Sequence, residues 1–243
     1  MFKLPRACGL TVAALFGSAA GTTHAHFPWV VPVSGAEDGL AAQVMFGHGP
    51  EDARVLDAER IAELHWLDAA GRAQALAPDP QDQWQVPAAP ASGGMLAGLQ
   101  TPGFWSRTPE GGQRQSRATL DNVSHCSHSH NGFKALLGEG DDFQSGWGEP
   151  VGHPLEIVPS ASKEAPLAVR LQLRGAPAEG PLTVTSIGDG RVQEITVDRV
   201  GTTVVPLTGS GPWLLHSEHR EDYGDPAVCD ERSFHATLYV NAF

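Results

Sequence analysis

Positive charge is scarce in this chain: 16 Lys and Arg stand against 28 Asp and Glu, for a net charge of −12. A surface of that sign argues against nucleic acid, whose phosphates need Lys and Arg to neutralise them. Long apolar runs are missing as well. At 41% hydrophobic residues and a mean hydropathy of −0.20, the chain is not a multi-span membrane protein, and its charge is too sparse for a disordered acidic tail. Only three cysteines and two tyrosines occur. Common catalytic signatures are absent too. There is no GxSxG, Walker loop or HExxH, and no GxGxxG following a strand, so the usual hydrolase and nucleotide chemistries have no motif behind them.

What is plentiful is glycine (28), proline (19) and histidine (11) in 243 residues. That length suffices for one large or two small domains with a real core. Gly and Pro lean toward turn-rich β structure, and histidine is the excess that needs explaining. Residues 1–25 read as a secretory signal peptide: Lys3 and Arg6 form the positive start, an apolar stretch runs from Cys8 to Phe16, and Ala25 offers a cleavage site. Ala20 is an alternative site. Loss of Lys3 and Arg6 takes the net charge from −12 to −14 and leaves Cys126 and Cys229. These two are expected either to pair in an oxidising compartment, periplasmic or secreted, or to leave Cys126 free for metal.

Short β-branched or alternating segments recur between Gly/Pro turns: Ala41–Phe46, Ile61–Leu67, Pro154–Val158, Ala168–Leu173, Leu182–Ser186, Val192–Val197, Thr202–Leu207, Trp213–His216 and Ser233–Val240. This spacing predicts an all-β sandwich architecture rather than βαβ units. Glu51–Leu64 has some helical composition, and Phe133–Leu137 reads as a short helix. Asp79–Gly98 and Asp121–Glu149 read as loops. A boundary near Pro159–Pro166 divides the mature chain into 26–159 and 160–243.

The densest feature is Ser124-His125-Cys126-Ser127-His128-Ser129-His130-Asn131. Three imidazoles and a thiol supply borderline-soft ligands suited to Zn, Cu, Ni or Co. In an extended chain His128 and His130 share a face with Cys126, and His125 points away. Cleavage after Ala25 would make His26 the first residue, whose α-amino and ring nitrogens chelate together; one more imidazole would complete a copper-binding histidine brace. His48 and His153 sit at strand-to-loop edges. His219, with Glu218, Glu221 or Asp222, offers a ligand beside an orienting carboxylate.

Ala25-His-Phe-Pro-Trp-Val30, Phe46-Gly-His48, Phe133-Lys-Ala-Leu-Leu137 and Val151-Gly-His-Pro-Leu-Glu-Ile-Val-Pro159, continued by Pro166–Leu171, Gly201–Val204, Gly211–His216 and Phe234–Leu238, resemble the bacterial DUF4198 proteins. That family is labelled as periplasmic components of nickel or cobalt uptake. The resemblance implies two consecutive β-sandwich modules, the first Ig-like and the second like transthyretin or a carboxypeptidase regulatory domain, together with metal handling outside the cytoplasmic membrane.

The expectation is therefore a periplasmic or secreted, non-enzymatic protein for metal uptake or delivery, not membrane-spanning once its signal is removed. A divalent transition-metal ion (Ni, Co, Cu or Zn) would be its cargo and a membrane metal transporter its partner. His26, His48, His125, Cys126, His128, His130 and His219 are the candidate ligands, and His26, His48 and the 125–130 segment are expected to converge at one end of the first module. Two rivals stand beside it: an adhesion or carbohydrate-binding sandwich with a Cys126–Cys229 disulfide, and a copper oxidase or monooxygenase built on His26.

Overall fold

Alternation of small apolar and polar residues extends the chain repeatedly. In residues 40–47, Ala42, Val44 and Phe46 are buried while Gln43 and Met45 between them are less so, the period of two that a strand imposes. The computed structural model describes residues 26–34, 40–68, 70–86, 93–137, 148–162, 165–208 and 211–240, so the expected signal segment lies outside the described residues.

The strands in chain order are β1 (Phe27–Ser34), β2 (Leu40–Gly47), β3 (Arg54–Val55), β4 (Ile61–Asp68), β5 (Ala73–Ala75) and β6 (Gln83–Gln85). Then come β7 (Gly94–Gln100), β8 (Gly103–Thr108), β9 (Gly111–Gln113), β10 (His125–Leu137), β11 (Leu155–Ser162) and β12 (Ala165–Leu173). The rest are β13 (Ala176–Ala178), β14 (Gly180–Ser186), β15 (Val192–Val197), β16 (Thr203–Val204), β17 (Trp213–Asp222) and β18 (Glu231–Val240). The described residues contain no α-helix, and the all-β class expected from the spacing is observed.

Three sheets result among the described residues. A central sheet runs β15-β14-β17-β18-β10-β7-β4-β5, with β8 alongside the first half of β10 and β9 on β8. A small sheet of β1, β2, β3 and β6 covers one face, and a second, of β11, β12, β13 and β16, covers the other. Phe133, Ala135 and Leu137 of β10 join Val44, Trp66 and Trp84 in the first core, while Leu136 joins Ile157, Val169 and Leu215 in the second. Among these, each fully buried Val, Leu, Ile or Phe contributes about 1.5–3 kcal/mol. The pairing of β10 with β18 is parallel and in register from Ser127↔Glu231 to Leu136↔Val240. The two halves of the chain therefore share one sheet, and position 159/160 lies inside β11.

Several expectations change. Phe133–Leu137 is strand, not helix. Its leucines and alanine suit a helix, but neighbours on both edges and cores on both faces favour extension. The stretch expected as a loop over 79–98 holds β6 and the start of β7. Within 121–149, residues 125–137 form the central strand β10, because β8 and β18 satisfy the backbone of its polar first half.

A buried ion pair ties the second small sheet to β10. Lys134 Nζ donates to Glu156 Oε1 at 2.8 Å, with both side chains only 1% exposed. Val151 and Gly152 N–H groups also donate to Glu156. Burial pushes the Glu156 carboxyl up, but Lys134 and these donors outweigh it and keep it ionised. The loop Gly152-His153-Pro154 is thereby pinned over Gly132, where an added Cβ would meet the His153 ring at 2.7 Å.

Candidate functional site

The β1–β2 hairpin aligns Phe27 with Gly47, which brings the next residues outward, His26 and His48, side by side. Their ring centroids are 4.0 Å apart. Pro50 then starts a 3-10 turn, Pro50–Asp52, that folds Asp52 back onto them. Its Oδ1 accepts the His48 and Gly49 N–H groups at 2.8 and 3.2 Å, and its Oδ2 lies 2.6 Å from His48 Nδ1 and 3.9 Å from His26 Nε2. This approach needs glycine at 47, since a Cβ there would meet Asp52 Oδ1 at 2.6 Å.

One ligand atom from each of His26, His48 and Asp52 lies within 4.8 Å of the other two. The group is open to solvent, with side-chain exposures of 43%, 44% and 39%. Burial, then the His48 charge, pushes the His26 imidazole down, which favours its neutral, ligating form. Burial pushes Asp52 up, but hydrogen bonds from the His48 ring and the His48 and Gly49 backbone hold it below the ordinary carboxylate range. The Arg54 charge nearby opposes a cation. Two imidazoles and an ionised carboxylate still fit a borderline transition metal. Asp52 was missed by the sequence reading, although its position four residues after His48, across a Gly-Pro turn, is the available signal.

The remaining expected ligands lie elsewhere. Cys126 is bonded to Cys229 in a buried disulfide, so it has no thiolate to offer a metal. His125 sits beside Asp230 and Glu231, at 3.8 and 3.3 Å. His128 and His130 share the opposite face of β10, in edge contact at 4.6 Å between centroids. His128 stacks on Phe104 and His130 on Phe234. His219 projects near Phe234, 6.3 Å between centroids. The even-numbered β10 residues face the second small sheet, whereas β1 and β2 cover the other face. The expected convergence of His26 and His48 with the 125–130 segment therefore does not occur: no residue of that segment joins their group, since His128 and His130 lie on the far face of the central sheet and His125 sits with Asp230 and Glu231.

Beneath β1, Phe27 stacks on His216 with centroids 3.8 Å apart. His216 Nε2 lies 3.1 Å from His235 Nδ1, and Glu218 lies 3.4 Å from the far side of His235. Burial holds the His235 imidazole at about 4. Antiparallel pairing of Glu218 with His235 makes this row, a relation between distant residues that no local motif announces.

These features define a three-layer β protein with a disulfide, an exposed His/His/Asp group, and, among the described residues, no helix long and apolar enough to cross a membrane. The chain belongs to the family described as a domain of unknown function (DUF4198), whose profile matches residues 23–221. No curated protein and no solved structure matches it.

Proposed function

We propose that this protein binds a divalent transition-metal ion through His26, His48 and Asp52 and carries it for uptake or delivery outside the cytoplasmic membrane. The observation that carries this reading is the clustering of their three ligand atoms within 4.8 Å. The group's exposure supports exchange with a partner, a membrane metal transporter, rather than storage. The net charge of −12 draws cations toward the surface, and the Cys126–Cys229 bridge suits a periplasmic or secreted location. The family resemblance favours nickel or cobalt, and the ligand set also accepts copper or zinc. We read the two small sheets as the outer layers of an Ig-like first half and a transthyretin-like second half.

Calorimetric titration of the oxidised protein with Ni, Co, Cu and Zn tests this. One ion per chain is expected, with a loss of roughly 10–100-fold or more in His48→Ala and Asp52→Ala, since even residues that only orient ligands have effects of that size. Absence of a stoichiometric ion, or unchanged binding in both variants, refutes it. The pairing of His26 with His48 also favours a second reading, a histidine-brace copper enzyme if His26 is the mature first residue. N-terminal sequencing, copper EPR and oxygen-dependent turnover separate enzyme from carrier.

A further inference from the structure

On the face of the central sheet away from β1, the second small sheet stops short and leaves an open cleft of about 720 Å³. The volume falls in the range of small-molecule sites. His128 and His130 of β10, Arg232 and Phe234 of β18, Tyr223 and Arg174 line it, with the pinned Gly152-His153-Pro154 loop as one wall.

Its electrostatics run against the rest of the molecule. In a chain of net charge −12, two guanidinium groups converge here and share a single carboxylate: Arg174 Nη2 and Arg232 Nη1 both donate to Glu221 Oε1. One positive charge remains uncompensated. Among the described residues neither guanidinium makes another hydrogen bond, and each has five N–H donors.

The imidazoles add donors of the same kind. His128 Nδ1 and His130 Nε2 are turned inward, shielded from solvent, with no hydrogen-bond partner among the described residues. An orphaned buried N–H costs more than an unpaired lone pair, which favours for each ring the tautomer with its proton on the other nitrogen. Burial first, and Arg232 next, pushes His128 down; burial, His128 and Arg232 bring His130 to about 4. Both rings are thus neutral near pH 7 and present an N–H rather than a lone pair. Nearby cations and outward N–H groups together disfavour a metal ion here.

Between the donors lie the part-exposed rings of His128, His130 and Tyr223, with Phe234, 2% exposed, beneath them. His130 stacks on Phe234 with centroids 5.2 Å apart, His128 on Phe104 at 4.3 Å. Arg174 lies 4.9 Å over Phe234, and Arg232 lies 5.1 Å over Tyr223. The part-exposed rings of His128, His130 and Tyr223 suit a planar ligand, and the guanidinium fork matches a carboxylate.

We infer that this cleft is a second binding site, for a small planar organic carboxylate, with Arg174 and Arg232 holding the carboxylate and the part-exposed rings of His128, His130 and Tyr223 packing on its body. The assignment stands apart from the metal reading, since no residue is shared.

Titration of the oxidised, metal-free protein with benzoate, benzamide and inorganic phosphate tests it. Benzoate is expected to bind at least ~10-fold more tightly than benzamide, which lacks the charge, and than phosphate, which lacks the ring. Arg174→Gln and Arg232→Gln should each weaken benzoate by ~10-fold or more, with melting temperature checked to confirm folding. Arg174 is the more exposed of the two, 52% against 31%, so its variant keeps the test sound if Arg232→Gln fails to fold. Arg199→Gln, away from the cleft, and His48→Ala should bind benzoate as the parent does. Equal binding of benzoate and benzamide, phosphate binding as well as benzoate, no benzoate binding at millimolar concentration, or unchanged affinity in a folded Arg174→Gln each overturns the assignment. So does a stoichiometric divalent ion lost in His128→Ala and His130→Ala but kept in His48→Ala.

Discussion

Mild acid should destabilise the protein before any carboxylate titrates, and the effect should trace to two buried histidines. His153 and His235 are 6% and 1% exposed. Burial is the main cause that brings both imidazoles to about 4 from an ordinary 6.5, with Lys134 adding to it at His153. As the pH falls through 6.5, the unfolded chain takes up a proton at each, and the folded protein does so only near pH 4. Stability is therefore full above pH 6.5 and declines as the pH drops toward 4. The slope is about 1.4 kcal/mol per pH unit for each histidine. Together the pair should remove about 4 kcal/mol between about pH 7.5 and 5, a large part of a typical domain's stability. Half-buried His130 adds a smaller share because solvent screens it. Below about pH 5, carboxylates held low, such as Asp52 and Glu156, start to contribute their own losses. Urea unfolding followed by tryptophan fluorescence, in metal-free buffer with the disulfide intact, measures the slope between about pH 7.5 and 5. His153→Gln and His235→Gln should each reduce that slope by about half, whatever they do to absolute stability. A wild-type loss below about 1 kcal/mol over this interval, or parental slopes in both variants, refutes the reasoning.

Two further outcomes concern the scaffold. The disulfide joins residues 103 positions apart, and closing so long a loop restricts the unfolded chain by about 4–5 kcal/mol. Urea unfolding of reduced against oxidised protein should show a loss of that order, and a difference under about 1 kcal/mol contradicts it. Lys134→Met should cost about 3–5 kcal/mol by stranding the Glu156 carboxylate, whereas Lys134→Met with Glu156→Leu should recover much of the loss. A single variant as stable as the parent in the same assay would contradict the role given to the pair.

The strands legible in the sequence are those whose alternation is strong on its own. Val192–Val197 spans the observed β15, and Leu182–Ser186, Trp213–His216 and Ser233–Val240 each fall within an observed strand. Strand β7 was hidden in a Gly- and Ala-rich stretch, where small residues serve close packing: a Cβ at Gly98 would meet the Phe133 ring at 2.6 Å. The first half of β10 was hidden because its polar side chains give no hydrophobic period, and its strand character comes from β8 and β18. The candidate site divides the same way. His26 and His48 stood out by residue type and position, and the shared face of His128 and His130 follows from parity. Asp52 reaches the first site through a turn, and Arg174, Arg232 and Tyr223 reach the cleft through long-range pairing, which a single sequence does not display.

The parallel seam between β10 and β18 bears on the order in which the molecule can be assembled. Ser127 of β10 waits for Glu231 of β18, the last of the described strands. Until that strand emerges, from a ribosome or from a translocation pore, β10 keeps an open edge along Ser127–Leu136. Each core draws nearly all its residues from one half, with Tyr239 in the first and Met95 and Leu136 in the second as the exchanges, so the seam is what joins the two halves last. Such distant pairing also makes folding slow and leaves apolar edges exposed meanwhile. Cys126 and Cys229 lie at the same end of that seam, so their oxidation is a late step. A nascent chain of this topology carries the unpaired edge of β10 until β18 arrives.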